Sequence, residues 1–286
     1  MTPAARGTEP DASAAAPAGK REAARKKRLR VGIFPLTSDA GCQLEFLNLE
    51  DDLLALAAAV DILHFPMARA FNEDGPFDVA FVDGVPARRD ELHMLREVRR
   101  NAEVLVALGS CSSFGGVPAS QRLYDLGDLK KYVYKGMEGP ETLEVFPISN
   151  YVRVDLQLRG CPASKWEIME TVSALIAGRL PQLKAYPQCV DCKILENRCL
   201  LLEGLPCLGP ITRAGCGVVC PSVGVPCDGC RGPTEEPNLP SVVEVLSRGT
   251  PYPDLIRKFE KYCSLVPEYQ ELFDKWRDYD SSVSRP

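Results

Sequence analysis

The residues in this sequence best suited to chemistry are eight cysteines crowded into one short segment. The segment extends from Cys189 to Cys230, and the whole chain of 286 residues contains twelve cysteines. Packing of a hydrophobic core does not produce such a density, so the segment calls for a chemical explanation. The spacing divides it into two groups of four: Cys189, Cys192, Cys199 and Cys207, followed by Cys216, Cys220, Cys227 and Cys230. Each group could supply one tetrahedral sulfur site.

Two kinds of centre use four thiolates, namely iron–sulfur clusters and structural zinc ions. Zinc sites usually show two close C-x-x-C pairs, whereas each group here has one such pair and two more widely spaced cysteines. Glycine and proline are abundant between the cysteines, and they let backbone amides turn towards sulfur, where hydrogen bonds tune a reduction potential. The spacing therefore favours clusters, with a redox-inactive zinc-binding scaffold as the alternative.

Three further cysteines follow apolar runs of strand type: Cys42, Cys111 and Cys161. In an open α/β sheet, the carboxyl ends of the strands line one crevice in which ligands bind. Residues distant in sequence can converge there, so a third metal site is predicted at this edge. The alternative is three separate buried thiols, since free cysteine is among the most buried residue types.

The elements that must position these cysteines follow from the apolar periodicity. Beginning at Arg30, the runs RVGIFPL, VDILHFP, FDVAFVDG and AEVLVALGS are of strand type, and QLEFLNLEDDLLALAAA and RRDELHMLREVRR between them have helical spacing. Continuous apolar strands separated by helices predict a parallel sheet covered on both faces, a doubly wound α/β architecture like that of flavodoxin. This domain is expected to span residues 30–180.

The chain on either side of this domain has a different composition. Residues 1–29 are rich in Ala and Pro and then basic, without periodic apolar pattern, so we expect a disordered tail. Residues 181–286 begin as a Cys-, Gly- and Pro-rich segment with little core of its own, which bound metal must stabilise. Helical patterning returns from Ser241, and these helices are expected to pack against the cysteine segment.

Charge and hydropathy limit the classes of partner. The formal net charge is -5 and the pI is near 5.3, so no global positive field attracts nucleic acid or an anionic membrane. No apolar run reaches the roughly 18 residues that a membrane span needs, and the N-terminus lacks the apolar segment of a secretory signal. We therefore expect a cytoplasmic protein, in which metal ligation explains the cysteines better than disulfides do.

Four stretches of the sequence resemble one known family. The runs LTSDAGCQL, ALGSCSSFGG and RGCP, and the longer CLGPITRAGCGVVCPSVGVPCDGCRGP, are similar to the small subunit of nickel–iron hydrogenases. In particular, they resemble the delta subunit of cytosolic sulfhydrogenases. The deazaflavin-nonreducing hydrogenases and the 20 kDa subunit of complex I are more distant. The resemblance covers roughly residues 30–233.

The resemblance implies an electron-transfer subunit with three [4Fe–4S] clusters and no catalytic residue of its own. Electrons from H2 oxidation, or on their way to proton reduction, would pass through proximal, medial and distal clusters. They would move between a nickel–iron large subunit, which holds the active site, and flavin- and iron–sulfur-containing subunits of diaphorase type. The implied ligands are Cys42, Cys111 and Cys161 for the proximal cluster, Cys216, Cys220, Cys227 and Cys230 for the medial cluster, and Cys189, Cys192, Cys199 and Cys207 for the distal cluster.

Two positions differ from many members of that family. Those members have a histidine among the distal ligands and a proline at one medial position, which gives a three-iron medial cluster. This sequence has Cys189 and Cys220 at these positions, so both outer clusters are expected to be four-iron cubanes.

A third departure concerns the proximal cluster. The family's first ligand is the leading cysteine of a C-x-x-C pair, but here Asp39 stands three positions before Cys42. A carboxylate is a harder ligand than a thiolate, but it binds iron and would change the potential of the cluster. We predict that Asp39 is the fourth ligand. The alternative is a three-iron cluster or a solvent ligand, with Asp39 capping the following helix.

A complex I-like, quinone-linked redox subunit is the competing interpretation. That class keeps only the cluster of the flavodoxin-like domain and lacks the eight-cysteine extension, which argues against it. No glycine-rich phosphate motif is evident, so any nucleotide site is expected on another subunit. The twelfth cysteine, Cys263, lies outside the groups, and we interpret it as structural.

Overall fold

A computed structural model describes residues 28–135 and 141–282 of the chain, with side chains as far as residue 275. The predicted disordered tail, except for its last two residues, lies outside the described residues. One parallel sheet organises the first half. Its strands are β1 (Leu29–Pro35), β2 (Val60–His64), β3 (Phe77–Asp83), β4 (Ala102–Leu108) and β5 (Leu156–Leu158).

The order across the sheet is β2-β1-β3-β4-β5, and every neighbouring pair of strands is parallel. This is the strand order of flavodoxin-like folds, so the predicted doubly wound α/β class is confirmed. The helices of this half are α1 (Gly41–Leu47), α2 (Asp51–Ala59), α3 (Arg89–Asn101), α4 (Gly109–Phe114), α5 (Leu126–Tyr134) and α6 (Lys165–Ile176). The helices that follow are α7 (Gln188–Ile194), α8 (Val219–Ser222), α9 (Leu239–Ser247), α10 (Tyr252–Cys263) and α11 (Pro267–Ser282).

Helices cover both faces of the sheet, as its continuous apolar strands require. On one face, α1, α2 and α6 pack against buried side chains that include Ile33 and Phe81. On the other face, α3 packs against Phe77 and Leu105. Burying one such side chain stabilises the fold by about 1.5–3 kcal/mol, and the two layers together hold the strand ends in fixed positions.

The stretch after β1 forms two helices rather than one. Its periodicity suits a continuous helix, but α1 ends at Leu47 and α2 begins at Asp51, with Glu50 between them at φ 53°. Asp51 and Asp52 consequently lie in the first turn of α2, where the helix dipole favours negative charge. The break leaves α1 as a short helix whose first turn carries Cys42 at the end of β1.

The C-terminal helices pack against the cysteine segment, as the sequence predicts. Side chains of α9, α10 and α11 share one apolar core with Leu208 and Ile211 from the cysteine segment and with Phe114 from α4. This core attaches the cysteine segment to the sheet domain. The boundary proposed near residue 180 stays a prediction. Across 28–135 and 141–282, no helix is long and apolar enough to cross a membrane.

Candidate metal centres

The first candidate centre lies at the carboxyl edge of the sheet. Cys42 is in the first turn of α1 after β1, Cys111 is in α4 directly after β4, and Cys161 follows β5 by three residues. These thiols lie near enough to one another to interact electrostatically, and Asp39 interacts with Cys111 and Cys161. The structure thus brings the three thiols to one edge of the sheet, with Asp39 in electrostatic range of two of them.

Burial dominates the chemistry of these thiols. It raises the pKa of Cys111 to about 12 and the pKa of Cys42 further still, and repulsion between neighbouring anions adds to both. A thiolate at this edge therefore needs a compensating cation, and iron would displace a proton from each sulfur as it binds. The backbone amide of Ala163 donates a hydrogen bond to the Sγ of Cys42 at 3.4 Å, which helps to orient that sulfur.

The backbone of Gly109 lies very close to the sulfur of Cys42. A Cβ atom at Gly109 would lie 2.3 Å from the Sγ of Cys42, and the residue has φ +84°, which glycine alone adopts readily. The turn from β4 into α4 therefore approaches the sulfur through bare backbone. This close approach explains the glycine before the serine and cysteine of the run ALGSC.

The carboxylate of Asp39 is exposed and accepts a hydrogen bond from the amide of Gly41 at 2.9 Å. It does not occupy the N-cap position of α1, which is held by Ala40 in a left-handed conformation without a side-chain cap. Asp39 thus interacts with two of the three thiols, and its hydrogen bond to Gly41 helps to fix the start of the helix that carries Cys42. Its role as fourth ligand stays a prediction.

Asp83 is a second carboxylate at this edge, and it is not among the residues predicted from the sequence. It ends β3, between the strands that precede Cys42 and Cys111, and it is only 1 % exposed. Its Oδ2 accepts hydrogen bonds from Ser38 Oγ at 3.0 Å and Gln43 Nε2 at 3.1 Å, while burial raises its pKa. The signal was an aspartate that ends the apolar run FDVAFVD.

The second candidate centre comprises the distal group. Cys189 and Cys192 lie on α7, and Cys199 and Cys207 come from the chain that follows it. Cys189 interacts electrostatically with the other three, and burial raises its pKa to about 11. Gly209 lies between two of these sulfurs, since a Cβ there would be 3.2 Å from the Sγ of Cys189 and 3.5 Å from that of Cys207. The predicted distal ligands therefore lie close together in space.

The third candidate centre comprises the medial group. Cys216 interacts electrostatically with Cys220 and Cys230, and Cys227 interacts with Cys230. Burial raises the pKa of Cys227 to about 12 and that of Cys230 to about 11, whereas Cys220, on the short helix α8, is exposed. One side of this group is thus enclosed by protein and the other opens to the surface.

The medial group lies in contact with both other groups. The backbone amide of Cys227 donates to the Sγ of Cys207 at 3.3 Å, which joins it to the distal group. The hydroxyl of Ser110 donates to the carbonyl of Cys230 and accepts from the amide of Gly160 at 3.1 Å. Since Ser110 precedes Cys111 and Gly160 precedes Cys161, the medial group also adjoins the proximal one.

The donor set fits iron–sulfur chemistry. All twelve cysteines are free thiols, and soft thiolates select iron–sulfur clusters among other soft centres. Within the described ranges, no three His, Cys, Asp or Glu side chains are arranged to hold a single metal ion. Two buried side chains beside the groups have polar atoms without a hydrogen-bond partner. They are the side-chain amide of Gln188 and the hydroxyl of Ser113. An unmade buried hydrogen bond costs about 1–3 kcal/mol, and cluster sulfur is an acceptor that could satisfy such donors.

A buried ion pair connects the loops of the proximal and medial groups, and it was also missed. Nη2 of Arg231 donates to both carboxylate oxygens of Glu167, at 2.7 and 2.8 Å. The same guanidinium donates to the carbonyls of Arg159, Arg213 and Ala214. Burial raises the pKa of Glu167, and Arg231 opposes this by favouring the carboxylate. The only sequence signal was an arginine directly after Cys230, the last cysteine of the eight-cysteine segment.

Cys263 lies in the apolar core of the C-terminal helices and is 3 % exposed. Its Sγ donates to the carbonyl of Gly229 at 3.8 Å, and burial raises its pKa. These contacts are those of a packed thiol, which agrees with its structural interpretation.

Comparison with known proteins gives the class of the chain. Residues 40–175 match the family model described as NADH ubiquinone oxidoreductase, 20 Kd subunit. The delta subunit of sulfhydrogenase 2 from Pyrococcus furiosus is 36% identical over 237 residues, which cover 82% of this chain and 99% of that protein. A subunit of the vhu F420-non-reducing hydrogenase from Methanococcus voltae is 31% identical over 73% of this chain and 84% of its own length. The chain belongs to the family of hydrogenase small, or delta, subunits.

Solved structures agree with this membership. One chain of an NAD+-reducing [NiFe]-hydrogenase in the H2-reduced state is 30% identical, with a TM-score of 0.51 over 55% of this chain and 96% of that one. An actinobacterial-type NiFe-hydrogenase from Ralstonia eutropha H16 is 17% identical, with a TM-score of 0.55 over 91% and 92%, and it supports the fold alone. The predicted family is confirmed, and with it the prediction that this chain is a subunit of an oxidoreductase.

Proposed function

We propose that this chain conducts electrons through three [4Fe–4S] clusters of a nickel–iron hydrogenase. Electrons released by H2 oxidation, or consumed in proton reduction, pass between a nickel–iron large subunit and a subunit with flavin that handles pyridine nucleotide. The bond-breaking chemistry belongs to the large subunit. Membership of the hydrogenase small-subunit family supports the electron-transfer role.

The observation that carries the proposal is the continuity of the three cysteine groups. The medial group adjoins the distal group through Cys227 and Cys207, and it adjoins the proximal group through Ser110 and Cys230. Electron transfer through protein weakens steeply with distance, so a relay requires neighbouring centres. Three sulfur groups in this order would form such a relay.

The proposed ligands follow the groups. The proximal cluster is held by Asp39, Cys42, Cys111 and Cys161, the medial cluster by Cys216, Cys220, Cys227 and Cys230, and the distal cluster by Cys189, Cys192, Cys199 and Cys207. When bound, the clusters supply reversible one-electron chemistry at potentials that charge, hydrogen bonds and solvent exposure set. The chain's own residues bind the irons, donate amide hydrogens such as those of Ala163 and Cys227 to ligand sulfur, and exclude water.

One relative supports the proposed partners. An NAD-reducing hydrogenase subunit delta from Cupriavidus necator is 26% identical over 54% of this chain. Its name associates a related chain with pyridine nucleotide, and we propose a diaphorase-type partner here as well. We also propose a cytoplasmic location, the compartment in which pyridine nucleotides are reduced and free thiols persist.

A quinone-linked role of the complex I type is the second candidate, because the matching family model describes a subunit of that enzyme. The match ends at residue 175, before the eight-cysteine segment begins. In a chain with one cluster, that segment would have no part in electron transfer. We therefore favour the hydrogenase role.

The decisive experiment is the iron, sulfide and zinc content of the anaerobically purified complex, together with EPR spectroscopy of the reduced state. About twelve irons per copy of this chain, after subtraction of those in partner subunits, would support three cubanes. About two zinc ions and no EPR signal would contradict the proposal. Cys227→Ser should reduce the iron content, whereas Cys263→Ser, at another buried cysteine outside the groups, should not.

A further inference from the structure

Helix α10 places two lysines on one carboxylate next to the medial group. Asp228 lies between the medial ligands Cys227 and Cys230 in the sequence. Its Oδ1 accepts a hydrogen bond from Lys258 Nζ, and its Oδ2 accepts one from Lys261 Nζ at 2.6 Å. We call these three residues the Lys–Asp–Lys triad. Two cations and one anion leave the triad with one net positive charge.

The triad has a fixed position. Lys258 and Lys261 are one turn apart on the same face of α10, next to the face that buries Leu255, Phe259 and Cys263 in the C-terminal core. The Lys258 side chain is 14% exposed and that of Asp228 34%, so water and salt screen the pair less than they screen an ordinary surface pair.

The triad lies beside the medial group. Asp228 directly follows Cys227 and stands two residues before Cys230 in the sequence, and both cysteines are medial ligands. The Sγ atom of Cys263, on the same helix as the two lysines, donates a hydrogen bond to the carbonyl of Gly229, which stands between Asp228 and Cys230. Helix α10, and with it both lysines, is therefore held against the loop that carries two of the medial ligands.

We propose that the Lys–Asp–Lys triad raises the reduction potential of the medial centre. The inference rests on the proposed function, because it requires a cluster on the medial cysteines. An electron that enters this centre adds one negative charge and leaves again to the next centre, with no bond formed and no proton taken up. A net positive charge nearby stabilises the reduced form, and net charge is one of the properties that set cluster potentials.

The middle position makes this potential important. An electron must enter the medial centre from one neighbour and leave to the other, so too low a potential blocks entry and too high a potential traps the electron. Asp228 moderates the two lysines and holds both in place. The triad thus keeps a net positive charge beside the medial centre, while Asp228 offsets part of the charge of the two lysines.

The test is a redox titration of the whole purified complex, followed by EPR, with the medial signal identified as the one that Cys220→Ser perturbs. Lys258→Met should lower the reduction potential of the medial centre. The ratio of its reduced to its oxidised form should fall about tenfold, which is equivalent to about 59 mV for one electron. Lys261→Met should shift it in the same direction but less, since this lysine is 49% exposed. Asp228→Asn should shift it in the opposite direction, and Lys258→Arg should retain the wild-type potential.

Lys131→Met is the matched control. Lys131 pairs with Asp128 at 2.9 Å, but their side chains are 80% and 73% exposed, so the medial potential should not change. The inference would be overturned if Lys258→Met and Asp228→Asn shifted the medial potential in the same direction, or if neither shifted it. The proposed function would still stand in that case, provided that the wild-type complex shows its normal iron–sulfur signals. A wild-type complex without any iron–sulfur signal would overturn both.

Discussion

The backbone amide of Cys227 donates a hydrogen bond to the Sγ atom of Cys207 over 3.3 Å. A residue of the medial group is thereby bonded to a sulfur of the distal group. Hydrogen bonds to ligand sulfur tune the potential of a cluster. A displacement of the chain at either residue is therefore expected to alter both centres.

The close contact between the backbone of Gly109 and the sulfur of Cys42 leads to the first prediction. Gly109→Ala would place a methyl group 2.3 Å from the Sγ of Cys42 at a residue with φ +84°, so the sulfur or the turn must move. We expect the purified complex to lose about four irons per chain and its proximal EPR signal, while the other two clusters remain.

Gly204→Ala provides a matched control for backbone strain. Gly204 has nearly the same conformation, with φ +82°, but no atom lies within 4 Å of the position that its Cβ would take. Both variants meet the same left-handed penalty, and only one of them crowds a sulfur. Equal iron loss from the two variants would contradict the role assigned to Gly109.

Asp39 gives the second prediction. If its carboxylate binds iron, Asp39→Ala should remove about one iron per chain and replace the proximal signal by that of a three-iron cluster. Asp39→Cys should retain the iron but change the signal, because thiolate replaces carboxylate. Metal analysis and low-temperature EPR of the purified complex would measure both effects.

Asp39→Asn separates ligation from local structure. Its amide oxygen can still accept the hydrogen bond of the Gly41 amide, but a neutral amide is a much weaker iron ligand than a carboxylate. Asp52→Cys, in the first turn of α2, controls for an added surface thiol. Full iron content and a wild-type signal in Asp39→Ala would rule out the ligand role.

Much of this arrangement follows from local pattern. The apolar runs predict the strands, and the rule that ligands gather at the carboxyl ends of parallel strands predicts that Cys42, Cys111 and Cys161 converge. Contacts between segments distant in sequence leave no such pattern. Arg231 and Glu167 are 64 residues apart, and nothing in the spacing of either identifies its partner. The break at Glu50 was missed because apolar periodicity continues through it.

The buried pair of Arg231 and Glu167 gives the third prediction. Their side chains are 3% and 10% exposed, and Glu167→Gln would leave the guanidinium without a counter-charge. Breaking such a pair costs about 3–5 kcal/mol, which should lower the melting temperature of the iron-loaded complex by on the order of 10 °C. Differential scanning calorimetry under anaerobic conditions would measure the shift.

The pair Glu244 and Arg248 is the control, since it is an i,i+4 pair with side chains 72% and 71% exposed. Glu244→Gln should change the melting temperature by about 1 °C, because such pairs contribute about 0.3–0.5 kcal/mol. The double variant Glu167→Leu with Arg231→Met should recover part of the loss, since it leaves no unpaired buried charge. A single variant as stable as the wild type would show that the pair does not hold the loops together.

Removal of iron gives the fourth prediction, which also tests the domain boundary. Between residues 181 and 233, the buried apolar side chains other than cysteine and proline are few: Leu200, Leu208, Ile211, Ala214 and Val218. Such a segment depends on metal for its stability, whereas the sheet has its own core on both faces. After anaerobic chelation of the intact complex, hydrogen exchange should accelerate at amides from Cys189 to Cys230. Amides of β1 and β3 should stay protected, because their side chains lie in the core whether or not iron is bound. Equal loss of protection in the sheet would mean that the chain is one cooperative unit.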